Sequence, residues 1–229
     1  MTTSTQPVVR DVLIGGAAIA LPGTLVLPAG CSGIVIFAHG SGSSRLSPRN
    51  QLVARVLQDA GIGTLLFDLL TEVEARDRRN VFDIELLAQR LDLARRWLEA
   101  DPPVAKPVLG YFGASTGAAA ALVAAAEHPD SVAAVVSRGG RPDLAGTALP
   151  RVTAPTLLIV GSEDYEVLEL NRDALRRLTG VRDKKLAVVR GATHLFEEPG
   201  TLEEAAELAM EWFALYLQRQ PAAAAAPAR

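Results

Sequence analysis

Five short apolar runs constrain this chain more than any other feature. They are Gly33-Ile34-Val35-Ile36-Phe37-Ala38 and the segments 63–67, 106–112, 132–136 and 156–160, with Lys106 the one charged residue among them. A strand with one wet face alternates apolar and polar residues, whereas a strand covered on both faces does not. Between the runs lie stretches with helical spacing. Leu52, Val53, Val56, Leu57 and Ala60 form one apolar face, and Ile84, Leu87, Leu91, Ala94 and Leu98 form another. Buried strands alternating with helices predict an α/β fold, a mostly parallel sheet with helices on both faces. Lys185 to Val189 supplies a sixth strand. Leu202, Ala205, Ala209, Trp212 and Tyr216 give the inner face of a closing helix.

The local signals agree with this order. Ser47-Pro48 reads as a capping serine before a first-turn proline, and Gly61 ends that helix. A further helix is expected from Val167 to Leu178, closed by Gly180. Two strands at the start, Val8 to Ile14 and Ala18 to Leu27, meet near Gly15-Gly16 without a helix between them. They predict an antiparallel edge, for about eight strands in all, with an interruption at Pro22-Gly23. No repeat or linker divides the body, so residues 1–219 are expected to form a single domain. Residues 220–229, nearly all Ala and Pro, are expected to form a disordered tail.

Composition narrows the function. The chain has 229 residues, 49% hydrophobic and 21% charged, with a net charge of −3. That balance offers no electrostatic attraction for nucleic acid or an anionic membrane. One cysteine, Cys31, precludes an internal disulfide and reads as a small buried residue. Met1 to Pro7 lacks the basic and apolar regions of a secretory signal, and no apolar run is long enough to span a bilayer. A cytoplasmic location is the expectation.

Directly after the 106–112 run lies Gly113-Ala114-Ser115-Thr116-Gly117, a G-x-S-x-G pattern between a strand and the Ala-rich helix from Ala118 to Ala126. A serine on a sharp strand-to-helix turn is the nucleophile elbow, and the small residues around it allow the close approach it needs. A serine hydroxyl needs a base, and the base needs an acid to fix its tautomer. Only three histidines exist. His128 lies at the far end of the elbow helix and reads as an exposed helix-end residue. His39 follows the 33–38 strand in His39-Gly40-Ser41-Gly42 and reads as shaping that loop. His194 follows the last strand, on the rim where the elbow also opens, which makes it the base. The acid comes from Gly161-Ser162-Glu163-Asp164, where Glu163 and Asp164 are adjacent candidates. Asp68 reads as a loop residue that ties down backbone, and the charged segment 68–80 as solvated. Oxyanion donors are expected from the Thr116 and Ser41 N–H groups.

These segments resemble a serine-dependent α/β hydrolase of the dienelactone-hydrolase-like group, from His39-Gly40-Ser41-Gly42 through the elbow and Asp164 to Ala192-Thr193-His194. The resemblance favours Asp164 over Glu163. The stretches from Phe37 to Asn50, Ser137 to Leu144 and His194 to Gly200 are similar to a subgroup fused to phosphoribosyltransferase domains, although no such domain is present in this chain. Where true dienelactone hydrolases carry cysteine, this chain has Ser115. The resemblance implies acyl transfer to water and does not fix a substrate. No cofactor is expected, and no metal, because the three histidines fall in separate segments and Cys31 stands alone. A small-molecule ester as substrate and a monomer or homodimer are the further expectations.

Arginines follow the catalytic loops. Arg45 and Arg49 come after the oxyanion loop, and Arg138 and Arg141 after the strand that follows the elbow helix. Together with His39 they are the expected substrate contacts, one arginine receiving an anionic group unless Asp68, Asp143 or Glu163 pairs with it. The stretch from Val136 to Pro155 is too short for a large helical lid. The leading expectation is an esterase of small or short-chain acids using Ser115, His194 and Asp164. A lactonase or thioesterase would use the same three residues. A non-catalytic binding protein of the same fold is the alternative from another class, and a fluorophosphonate probe separates it.

Overall fold

The computed structural model describes residues 6–16, 19–31, 33–100, 102 and 107–217. Eight strands form one sheet: β1 (Val8–Gly16), β2 (Ile19–Leu27), β3 (Gly33–Ala38), β4 (Gly63–Phe67), β5 (Val108–Ala114), β6 (Ala134–Arg138), β7 (Thr156–Gly161) and β8 (Lys184–Val189). Their order across the sheet is β1-β2-β4-β3-β5-β6-β7-β8. β1 and β2 are antiparallel to their neighbours, and every other pairing is parallel. The antiparallel edge and the parallel body are those the sequence pattern predicts.

The helices are α1 (Pro48–Asp59), α2 (Glu72–Ala75), α3 (Arg78–Val81), α4 (Ile84–Ala100), α5 (Thr116–Glu127), α6 (Tyr165–Arg177) and α7 (Thr201–Leu217), with a 3₁₀ segment at Pro142–Arg151. Because successive strand side chains point to opposite faces, β3 divides its residues between two cores. Val35 and Phe37 pack with Val53 and Leu57 of α1 and Phe213 of α7. Ile34, Ile36 and Ala38 pack with Leu91 and Leu98 of α4 and the alanines of α5. The continuous apolar runs are therefore strands with helices on both sides. Cys31 is a free, buried thiol.

Three local expectations change. β2 runs without interruption through Pro22 and Gly23. The carbonyl of Pro22 accepts from Asp68 N–H, on the side away from β1, so its missing N–H removes nothing from the β1 ladder. β6 lies two residues later than the 132–136 run, which makes Arg138 a strand residue and not a loop residue. The segment 68–80 contains two short helices. Thr71 and Glu74 form a capping box at the start of α2, and Glu74 pairs with Arg90 of α4 at 2.5 Å. Ala18 and the 220–229 tail lie outside the described residues.

Candidate active site

Ser115 stands between β5 and α5 with φ 52° and ψ −121°. A residue with a Cβ at positive φ costs on the order of 1–2 kcal/mol, so the surroundings must impose it. They do so by backbone bonds and by crowding. Ser115 N–H donates to the Arg138 carbonyl at 3.3 Å, and Arg141 N–H donates to the Ser115 carbonyl at 3.0 Å. A Cβ on Gly117 would lie 2.2 Å from the Ala38 carbonyl oxygen, and one on Gly113 would lie 2.4 Å from Ala118 Cα. Only glycine lets α5 start this close to β3 and β5.

His194 comes from the loop after β8. Its Nδ1–H donates to Asp164 Oδ2 at 2.6 Å. That bond fixes the tautomer and leaves the Nε2 lone pair available. Asp164 occupies the N-cap position of α6, yet its side chain makes no capping bond and is turned to His194. Glu163 points away, accepting from the hydroxyls of Tyr165 and Ser162, and these bonds hold its carboxyl below the usual range. Glu198, which sequence reasoning did not single out, closes the histidine loop by accepting from Thr193 N–H at 3.0 Å and Thr193 Oγ1 at 2.7 Å. Ser115 and His194 line the same cavity of about 260 Å³. Among the hydrogen bonds of the described residues, none joins Ser115 Oγ to His194.

The two expected oxyanion donors lie side by side. Ser41 N–H donates to Thr116 Oγ1 at 3.0 Å. Thr116 N–H, at the first turn of α5, has no acceptor among the described residues. His39 is the fixed frame of this loop. Its Nδ1–H donates to the Gly40 carbonyl at 3.0 Å, and its Nε2 accepts from Leu69 N–H at 3.1 Å. Burial pushes its pKa down, so it is held neutral. With both nitrogens engaged by backbone, His39 has no ring nitrogen left to bond a substrate, although the residue lines a cavity together with Ser41 and Thr116. His128 lies at the opposite end of α5, paired with Asp92.

The arginines separate sharply. Arg45 is taken by Asp68, through its backbone N–H at 2.7 Å and Nη1 at 3.0 Å. Arg141 makes a two-pronged contact with Asp143, both bonds at 2.8 Å. Neither lines the cavity of Ser115, so neither is placed as a substrate contact. Arg138 does line it. This residue is 6% exposed, yet its side chain has no hydrogen bond or ion pair among the described residues. Its guanidinium carbon lies 5.5 Å from the centre of the Phe196 ring. Burial, with Arg49 adding to it, pulls its pKa down to about 10.

A second cavity of about 230 Å³ adjoins the first, and the two share Gly40, Ser41 and Ser43. Its apolar wall is Leu69, Leu70, Ala75, Val81 and Leu87. Sequence reasoning missed this wall by treating 68–80 as solvated. The Leu69-Leu70 pair and the Thr71-to-Glu74 capping pattern were the available signals. Among the described residues, no three His, Cys, Asp or Glu side chains gather as a metal site would need. No described helix is long and apolar enough to cross a membrane.

An eight-stranded, mostly parallel sheet carrying a serine on a strained strand–helix turn has the architecture of the α/β-hydrolase fold. The chain belongs to the dienelactone hydrolase family, whose model matches residues 22–220. A solved dienelactone hydrolase from Anabaena variabilis is 56% identical, with a TM-score of 0.89 over 93% of this chain and all of that one. An esterase from Pyrococcus furiosus shares the fold at 20% identity, with a TM-score of 0.74 over 92% of this chain and 93% of that one. A Mycobacterium tuberculosis protein provisionally named a phosphoribosyl transferase is 59% identical over 210 residues. Those residues are 91% of this chain and 47% of that protein, so the chain spans about half the length of this curated relative.

Proposed function

We propose that this member of a hydrolase family is a serine esterase acting on carboxylic esters of small or short-chain acids through Ser115, His194 and Asp164. The observation that carries the reading is the 2.6 Å bond from His194 Nδ1–H to Asp164, made by a histidine that shares a cavity with Ser115. In this mechanism Ser115 Oγ attacks the ester carbonyl while Nε2 of His194 takes its proton. Asp164 steadies the imidazolium that forms. The tetrahedral oxygen is received by Thr116 N–H and by Ser41 N–H, for which it competes with Thr116 Oγ1. His194 then delivers its proton to the leaving oxygen, and water repeats the sequence on the acyl-enzyme. The Anabaena relative is named a dienelactone hydrolase. The name phosphoribosyl transferase belongs to a protein about twice as long, and no transferase chemistry is assigned to this chain.

The test is labelling by a fluorophosphonate, followed by a panel of p-nitrophenyl esters, lactones and acyl thioesters. Labelling at Ser115 and turnover of the esters are expected. An unlabelled Ser115 would make the fold a binding scaffold. Turnover confined to lactones or thioesters would move the substrate class.

A further inference from the structure

The ester mechanism fixes where each arm of a substrate must lie. The alcohol oxygen leaves with the proton that His194 Nε2 delivers, so the alcohol arm runs beside His194. His194 lines the cavity of Ser115 and not the adjoining cavity of about 230 Å³. The two cavities meet at Gly40, Ser41 and Ser43, and Ser41 and Thr116 both line the second one. Their N–H groups are the receivers of the carbonyl oxygen in that mechanism. A carbonyl held there with one arm beside His194 turns its other arm into the second cavity. That other arm is the acyl chain.

The second cavity is shaped for an apolar group. Its wall comes from Leu69 and Leu70 after β4, Ala75 of α2, Val81 of α3 and Leu87 of α4. This wall is fixed at both ends. Leu69 N–H donates to His39 Nε2 at 3.1 Å, which joins it to the loop after β3. Glu74 pairs with Arg90 of α4, and its carbonyl accepts from Asn80 Nδ2 at 2.9 Å, so α2 is clipped to both α3 and α4. The charged residues on the lining are acids, Asp68 and Glu72, and Asp68 is already paired with Arg45. They repel an anionic end, so a neutral chain fits best. A cavity of about 150 Å³ lined by apolar side chains binds benzene. This larger one has room for roughly six carbons in a tail or one ring. From these observations we propose that the cavity walled by Leu69, Leu70, Ala75, Val81 and Leu87 is the acyl pocket, and that the acid half of the substrate is a neutral apolar group of roughly six carbons. The proposal rests on the serine-esterase reading above.

The experiment uses two isomers. Ethyl hexanoate and hexyl acetate contain the same atoms, with the long chain on the acyl arm in one and on the alcohol arm in the other. Acid release is expected to give ethyl hexanoate the higher kcat/KM by about ten- to hundredfold, because each methylene taken from water contributes about three- to fourfold. Val81 is half-buried on the pocket wall, so it can be enlarged or trimmed. In Val81→Phe, which fills the pocket, the ratio is expected to fall by about tenfold. Val81→Ala widens the pocket and is expected to raise ethyl octanoate relative to ethyl hexanoate, a result that stands even if the larger side chain fails to fold. Val73→Phe, at a position of α2 that is 72% exposed, is expected to keep the parent's ratio. A further measurement does not depend on turnover. Hexanamide binding to the Ser115→Ala protein, read by NMR, should be lost in the Ser115→Ala/Val81→Phe double variant. Ser115-dependent hydrolysis with no preference between the isomers, or with a preference that neither Val81 variant moves, overturns the acyl pocket and leaves the esterase reading intact. A preference for hexyl acetate that Val81→Phe abolishes assigns the cavity to the alcohol arm and overturns the proposal. Val81-dependent hexanamide binding without hydrolysis of any ester keeps an apolar pocket and overturns the esterase reading.

Discussion

Ser41 N–H donates to the side-chain hydroxyl of Thr116, 3.0 Å away, so the loop after β3 is tied to the residue that follows Ser115. Thr116 holds this loop with its side chain, while its own N–H has no acceptor among the described residues. Thr116→Val removes the acceptor and keeps the shape. Thermal or denaturant unfolding is expected to report a loss of roughly 1–2 kcal/mol, because a partly buried N–H is left without a partner. Turnover is expected to change by far less than the ~10²–10³ of a lost oxyanion donor, since both N–H groups remain. A drop of that larger size would mean that the hydroxyl itself contacts the reacting oxygen.

Ser115 combines a strained backbone with the nucleophile's role proposed for it. Ser115→Ala is expected to lower kcat by about 10⁶ without relieving the strain, because the Cβ remains. Ser115→Gly removes the Cβ at φ 52° and is expected to be as inactive but more stable than Ser115→Ala by about 1 kcal/mol. Equal unfolding midpoints for the two variants would show that the turn is not strained.

Asp164 and Glu163 are adjacent in the chain, but only Asp164 reaches His194. Asp164→Asn is expected to reduce kcat by about 10⁴ through the wrong histidine tautomer. Glu163→Gln, whose side chain bonds only to Ser162 and Tyr165, is expected to stay within a few-fold of the parent. Comparable losses in the two variants would break the assignment of the acid.

His39 gives stability a pH dependence. Its folded pKa lies below the ordinary 6.5 because burial disfavours the cation. As pH falls through 6.5, the unfolded chain takes up the proton first, so folding stability declines from there down to the folded pKa. The slope from this one group is at most about 1.4 kcal/mol per pH unit. Unfolding midpoints between pH 8 and pH 5 are expected to fall less steeply in His39→Gln than in the parent. Parallel curves would remove His39 from the acid response.

The sequence by itself determined the features that depend on neighbours along the chain. Period and run length decided which segments are strands buried on both faces. The small residues from Gly113 to Ala119 are there because Ser115 sits on a turn with almost no space around it, so the elbow was legible as a local requirement. The chain order of Ser115, the 163–164 acids and His194 followed from which loops share one rim. The tertiary structure decided direction and pairing. One residue of rotation about the turn before α6 sends Asp164 inward and Glu163 outward, and no periodicity encodes that choice. Arg45, Arg138 and Arg141 look equivalent in sequence, but Arg45 finds Asp68 across 23 positions, whereas Arg141 finds Asp143 two residues on and Arg138 has no carboxylate partner among the described residues. Whether a buried charge is paired depends on what the fold brings to it, because Coulomb attraction at 3 Å acts through space and not along the chain.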